Sequence, residues 1–316
     1  MAYSAGDPIL DDEYNVFVNS SSDPFGYNHF AGPGSTVYGL NQATISTVSA
    51  GDTIAASHWN SLFTGMDNIA NHLNRSITSS SVSAGDTIAI RSALISDLAN
   101  LAADVAAGGV NVTALGTNAI GTSTNGATWN STSTLERSVT FANNNTMRAF
   151  FNAGGSIRVD PATSGSVDGN KDTVFEELTA AVGNLDIGAH ATTRSGTGET
   201  ETSFASSTGF HDLGTSYTSL LKLTSNNSGY TSDTVEISAK LDAAIGSATV
   251  ITIKMVSLDP AADTTYTSGN TSGVPSNPNE APAMQLNIIE EHPTDAQGLA
   301  AAIQSASNAQ VSNSQS

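Results

Sequence analysis

Cysteine is absent from all 316 residues, which excludes disulfides, thiolate metal centres and a cysteine nucleophile, and fits synthesis in a reducing cytosol. Basic residues are scarce: 10 Lys plus Arg stand against 29 Asp plus Glu, a formal net charge of -19. Binding to a phosphate backbone by counterion release needs clustered cations, and the chain has no run of Lys or Arg, so no nucleic-acid partner is expected. A role at an anionic membrane surface falls for the same reason. No apolar segment approaches the roughly 18 residues of a membrane span, and Met1 to Pro8 lack a basic stretch followed by an apolar run. The expectation is a soluble chain that does not leave the cell by the usual signal route. Aromatics make up only 6% of residues, a composition poor in the material of large aromatic-lined pockets.

What is abundant is Gly, Ser, Thr, Asn and Ala, a balance that favours many short strands and turns. The length suffices for two or three domains, each with its own core. Residues 1–45 mix apolar residues with Gly, Pro, Ser and Asp and read as an extended arm with turns; an ordinary peripheral strand is the other reading.

The strongest internal signal is the octapeptide Val48–Ala55, VSAGDTIA, which recurs unchanged at Val82–Ala89. Each copy precedes apolar residues at helical spacing: Trp59, Leu62, Met66, Ile69 and Leu73 after the first, Leu94, Leu98, Leu101 and Val105 after the second. The Gly-Asp-Thr step supplies a turn and, in Asp or Thr, a candidate N-cap. Residues 46–109 therefore predict a helical hairpin, ended by Gly at Ala106–Gly109, with a boundary near Val110. The stripe Trp59, Leu62, Phe63, Met66, Ile69 and Leu73 is the candidate oligomer or attachment contact, either as the hairpin's own core or as a seam between subunits.

Residues 110–135 read as a linker or loose strands, and residues 136–260 as a β domain. Within it Arg137–Phe141, Met147–Phe151 and Ser156–Val159 predict strands, with a turn at Asn143–Asn145. Asp172–Val182 predicts one inserted helix, capped by Asp172. Leu185–Ile187, Ser219–Leu223, Thr234–Ala239 and Ala248–Val256 predict further strands. Residues 261–316 read as an extended segment holding a strand at Met284–Ile289, an Ala-rich helix at Thr294–Gln304 and a polar tail ordered only by a partner. The predicted class is α+β, mainly β: an N-terminal helical hairpin unit followed by an antiparallel β-sandwich-like domain with one inserted helix.

Phosphate-binding loops, nucleophile elbows, zinc-protease motifs and Cys/His metal spacings do not occur. The six histidines are scattered; His58 and His72 share a predicted helix about four turns apart, too far to ligate one metal, and read as surface or interface residues. Asp168-Gly169-Asn170-Lys171-Asp172 resembles the start of a calcium loop, but Thr173 replaces the turn glycine and Thr179 the bidentate glutamate, so a capping turn is the better reading. Carboxylate pairs occur at Asp11-Asp12, Glu176-Glu177, Glu199/Glu201 and Glu290-Glu291, but adjacent residues point apart and local aromatics are few, so a sugar-sized catalytic cleft is not expected, and Glu176 and Glu177 read as a solvated helix face. No catalytic residue, cofactor or metal ligand is predicted, and no enzymatic activity.

The stretch ANNNTMRAFFNAGGSIRVDPATSG, Ala142 to Gly165, resembles virion structural proteins of tailed bacteriophages, especially of the cyanophage type. DTVFEELTAAVG, LDIGAHATTRSGTG, STGFHDLGTSYTSLLKL, DTVEISAKL and TVITIKMVSLD continue the resemblance, as do DDEYN and SAGDTIAASHWNSL nearer the N-terminus, so that it covers most of the chain. It implies a particle component, tail- or neck-associated and fibre or assembly in type. Such a protein would be made in the host cytoplasm, reside in the virion and act through multivalent contacts with copies of itself and other virion proteins. A module that binds host-surface glycan is the alternative, and a capsid decoration protein a further one.

Overall fold

The computed structural model describes residues 11–22, 25–33, 39–86, 91–109, 115–126, 129, 131–165, 170–260, 282–293 and 307–315. The predicted boundary at Val110, the Ala-rich helix at Thr294–Gln304 and the start of the calcium-like loop lie outside them. Two compact units divide the chain. Unit 1 comprises Met1–Gly116, Ala142–Ser156 and Glu291–Ser305; unit 2 comprises Thr117–Phe141, Ile157–Glu290 and Ala306–Ser316.

Unit 1 is helical: α1 (Asp11–Asn19), the short α2 (Tyr27–Phe30), α3 (Ala56–His72), α4 (Arg91–Ala106) and α5 (Asn144–Asn152). The extended arm is thus corrected at α1. Its first turn holds Asp11, Asp12 and Glu13, which suit the positive end of the helix dipole, and Tyr14, Phe17 and Val18 recur at helical spacing and are buried. Helices α3 and α4 form the predicted hairpin, and α4 reaches back to lock its loop. Asp97 accepts hydrogen bonds from the N–H and hydroxyl groups of Thr78 and Ser79 at 2.8–3.0 Å, and Asp104 pairs with the Arg75 guanidinium. At the C-terminus of α4, Gly109 has φ +64 and a Cβ there would meet the Ala153 carbonyl carbon at 2.8 Å, so only glycine fits this stop.

The described parts of the two octapeptides, Val48–Ala55 and Val82–Asp86, share the same turn. Asp52 Oδ2 accepts from Ser49 N–H at 2.9 Å, and Asp86 Oδ2 from Ser83 N–H at 2.7 Å. These aspartates close the turn instead of capping a helix; at α3 the N-cap is Ala55, whose N–H donates to His58 Nδ1 at 3.2 Å. Each turn is anchored at its preceding valine by an asparagine on a helix. Asn15 bonds both N–H and C=O of Val48 (2.9 and 2.8 Å), and Asn60 does the same to Val82 (2.8 and 2.9 Å). Asn28 on α2 clamps Ile45 in the same way, both bonds at 2.8 Å. All three asparagines follow an aromatic residue: Tyr14-Asn15, Tyr27-Asn28 and Trp59-Asn60. The helix turns the ring inward and the adjacent amide sideways onto an extended segment, where a side-chain amide satisfies one whole peptide unit. Asn60→Ala removes both bonds and is expected to cost unit 1 about 1–3 kcal/mol in urea unfolding, with Asn60→Asp recovering less than half.

The strand predicted at Met147–Phe151 is instead α5. Asn143 caps it by accepting from Thr146 N–H at 2.9 Å, and every side chain from Thr146 to Asn152 is buried, so neither a helical nor an alternating pattern shows in the sequence. Asn152 Nδ2 donates to Gly39 O at 3.1 Å and Arg148 to Pro33 O at 3.2 Å, which ties α5 to the N-terminal segment. His72, expected at a surface or interface, is 1% exposed and bonded to Ala153 O at 2.8 Å.

Two antiparallel sheets and one helix, α6 (Asn170–Val182), build the β part. The strands are β1 (Leu115–Thr124), β2 (Ser131–Thr140), β3 (Ser156–Ser164), β4 (Leu185–Ile187), β5 (Thr192–Arg194), β6 (Thr200–Phe204), β7 (Thr218–Thr224), β8 (Thr234–Leu241), β9 (Val250–Asp259), β10 (Ala283–Pro293) and β11 (Ser307–Gln315). One sheet has the order β1-β10-β3-β4-β5 and the other β11-β2-β9-β8-β7-β6. The fold is the predicted mainly-β α+β sandwich. Alternation places Leu135 and Val139 of β2, Ile237 and Leu241 of β8, and Ile251, Ile253 and Met255 of β9 inward, buried together with Ile157, Val159, Met284, Leu286 and Ile288 of the other sheet. The segment read as a linker or loose strands contains β1 and the start of β2. The polar tail, expected to need a partner, is β11 and pairs with β2 within the chain.

Arg137, on the inner face of β2, is buried, and its Nη1 donates to Thr122 O of β1 at 3.0 Å. Gly121 makes the room: a Cβ there would overlap the guanidinium. Gly121→Ala is expected to lower the stability of unit 2 by about 1–3 kcal/mol, measured by urea unfolding, since a packed core has no space for the displaced arginine.

Candidate functional site

The six residues proposed from the sequence as attachment contacts all lie inside unit 1. Trp59 is 2% and Phe63 7% exposed, and Leu62, Met66, Ile69 and Leu73 have no exposed surface. Trp59 packs edge-on against Tyr14 at 5.3 Å between ring centroids and lies 5.9 Å from both Phe17 and Phe63. Of the two readings of this stripe, the structure takes the hairpin core. A side chain without exposed surface has none to offer a neighbour while the chain keeps this fold, and the stripe forms the intrachain core that was one of its two readings.

The densest chemistry in unit 2 is a buried charge cluster that no motif announced. Lys171, on the first turn of α6, donates to Asp259 Oδ2 at the end of β9 at 2.7 Å, and both side chains are buried. Thr234 pairs with Leu258, so Asp233, one residue ahead of β8, comes beside Asp259 on the inner face. Asp233 is fully buried, and among the described residues neither of its carboxylate oxygens has a hydrogen-bond partner; the same holds for Asp259 Oδ1 and Ser257 Oγ. Burial pushes the Asp233 carboxyl up to about 7, helped by the charge of Asp259 and opposed by that of Lys171. One ammonium between two carboxylates leaves a negative charge over, and a proton held on Asp233 cancels it near neutrality. The cluster is closed to solvent and therefore suited to holding a proton, not to turning over a substrate.

Asn170 and Lys171 of the calcium-like pentapeptide belong to α6, where Lys171 is committed to Asp259. Among the described residues no group of three or more His, Asp or Glu side chains could hold a metal ion, and no helix is long and apolar enough to cross a membrane. Glu176 and Glu177 are exposed on α6, as read from the sequence.

The outer face of the six-stranded sheet carries three of the chain's four lysines. Lys254 and Lys240 stand 3.9 and 4.5 Å from the centre of the Tyr217 ring, and Lys222 lies 3.6 Å from Glu236. Burial pushes the Tyr217 hydroxyl well above its ordinary value, with Glu136 adding to the shift. Among the described residues the large hydrophobic side chains that are exposed are Val16 and Leu115, neither of them aromatic. What the sandwich does offer is backbone: β6 and β11 flank one sheet, β1 and β5 the other.

No family model matches the chain. No curated protein and no solved structure matches it either.

Proposed function

We propose that this chain is a structural component of a tailed-phage virion, tail- or neck-associated, that acts by multivalent contact with copies of itself and other particle proteins. What supports the reading is the resemblance to virion structural proteins read in the sequence of Ala142–Gly165, the stretch that includes α5 and β3. The physical character of the chain supports it. The acidic charge of -19 suits a protein that must stay soluble until it meets its site, and ruggedness without disulfides comes from two sheets and side-chain clamps on backbone. Repeated weak contacts through sheet edges add up by avidity, so that no single interface has to be large.

Mass spectrometry of gradient-purified particles tests the proposal. Peptides of this chain at a fixed ratio to the major capsid protein are the expected result. Its presence only in the soluble fraction of infected cells would overturn the reading, and binding of purified chain to a host-glycan array would then favour receptor recognition.

A further inference from the structure

We propose that β11 is an exchangeable strand, which in the assembled protein pairs with β2 of a second copy in the register it takes on its own β2. This rests on the assembly reading above and names the contact. The strand sits at the edge of the six-stranded sheet, with β2 as its neighbour in the sheet. Its register runs antiparallel from Ser307 opposite Thr140 to Gln315 opposite Ser133, with an irregularity between Gln310 and Ser312. The sequence SNAQVSNSQ has two apolar residues, Ala309 and Val311, and Val311 falls at the irregularity, so the attachment is chiefly a ladder of backbone bonds. Backbone bonds are indifferent to which copy supplies the strand, because every copy presents the same β2.

Thirteen residues, 294–306, stand between β10 and β11 in the sequence, and no chain of thirteen residues spans more than about 45 Å, which bounds the distance over which the strand can be exchanged. Exchange replaces each intrachain bond by an identical interchain one. Its balance is then set by concentration: pairing within one chain competes at an effective concentration on the order of millimolar for a connection of this many residues, and exchange prevails where neighbours are packed more densely than that. A particle surface meets this condition and a dilute solution does not.

The cysteine-free chain gives a clean test. Ser314 lies opposite Thr134, and Ser314 is exposed. The double variant Thr134→Cys/Ser314→Cys at micromolar concentration is expected to oxidise within one chain. Mixed single variants Thr134→Cys and Ser314→Cys, incubated near millimolar concentration, are expected to give a covalent heterodimer at least about tenfold faster than Ser314→Cys mixed with Ser216→Cys, which scores random collision at another exposed serine. Heterodimer formation no faster than this control, with the double variant closing normally, overturns the proposal; failure of the double variant to close overturns it too, because the register is then wrong. Light scattering on a chain ending at residue 306 separates this from the assembly reading. Unchanged oligomer mass without β11 removes strand exchange and leaves assembly standing, whereas an intact chain that is monomeric at every concentration and missing from particles removes both.

Discussion

At about pH 8 the Asp233→Asn chain is expected to be more stable than the parent by up to roughly 4 kcal/mol, and at about pH 4 equally stable. The sign follows from the cluster of Asp233, Asp259 and Lys171. The folded chain binds the Asp233 proton up to about pH 7, whereas the ordinary value for aspartate is 3.8. Below both values the two states are equally protonated. Between them the unfolded chain has lost the proton and the folded chain has kept it, so this group's contribution falls by roughly 1.4 kcal/mol per pH unit and is flat above about 7. Asparagine, neutral throughout, does not pay that penalty. Urea titrations of both proteins from acid to mildly alkaline pH check the point; parallel stability curves would refute it. The complementary change, Lys171→Met, leaves Asp259 buried with no cation and is expected to cost about 3–5 kcal/mol at neutral pH, less in acid.

Trp59→Ala is expected to destabilise unit 1 by about 3–5 kcal/mol, because it empties a cavity walled by Tyr14, Phe17 and Phe63. Self-association measured below the new unfolding midpoint is expected to be unchanged. An attachment residue would behave in the opposite way, with normal stability and lost association. Far-UV circular dichroism follows the helices of unit 1 in this variant, and the tryptophan it keeps, Trp129, lies in the other unit and serves as the internal control. Trp129, buried beside Phe175 and bonded to Pro282 O at 2.8 Å, reports on unit 2.

Where one face of an element is buried and the other wet, its period was legible in the sequence. The α3 and α4 stripes, α6, and the strands β4, β7, β8 and β9 are found where alternation or helical spacing placed them. Legibility failed where burial is uniform or absent. Helix α5 is buried from Thr146 to Asn152, so a short apolar run reads equally as strand or helix. Strand β11 is polar apart from Ala309 and Val311 and shows no alternation, and its pairing is a property of β2's free edge. The charge cluster was invisible for another reason: Lys171 and Asp259 are 88 residues apart, and only sheet register brings Asp233 beside them. The three aromatic-asparagine pairs could have been found, since they are a short repeated dipeptide at the starts or middles of apolar helical faces.

Antibody-gold labelling of purified phage in the electron microscope decides whether the chain is built into a particle. Gold at one fixed site, at the neck or along the tail, repeated from particle to particle, is the expected result. Unlabelled particles, from a preparation in which the antibody still recognises the denatured chain, would contradict it.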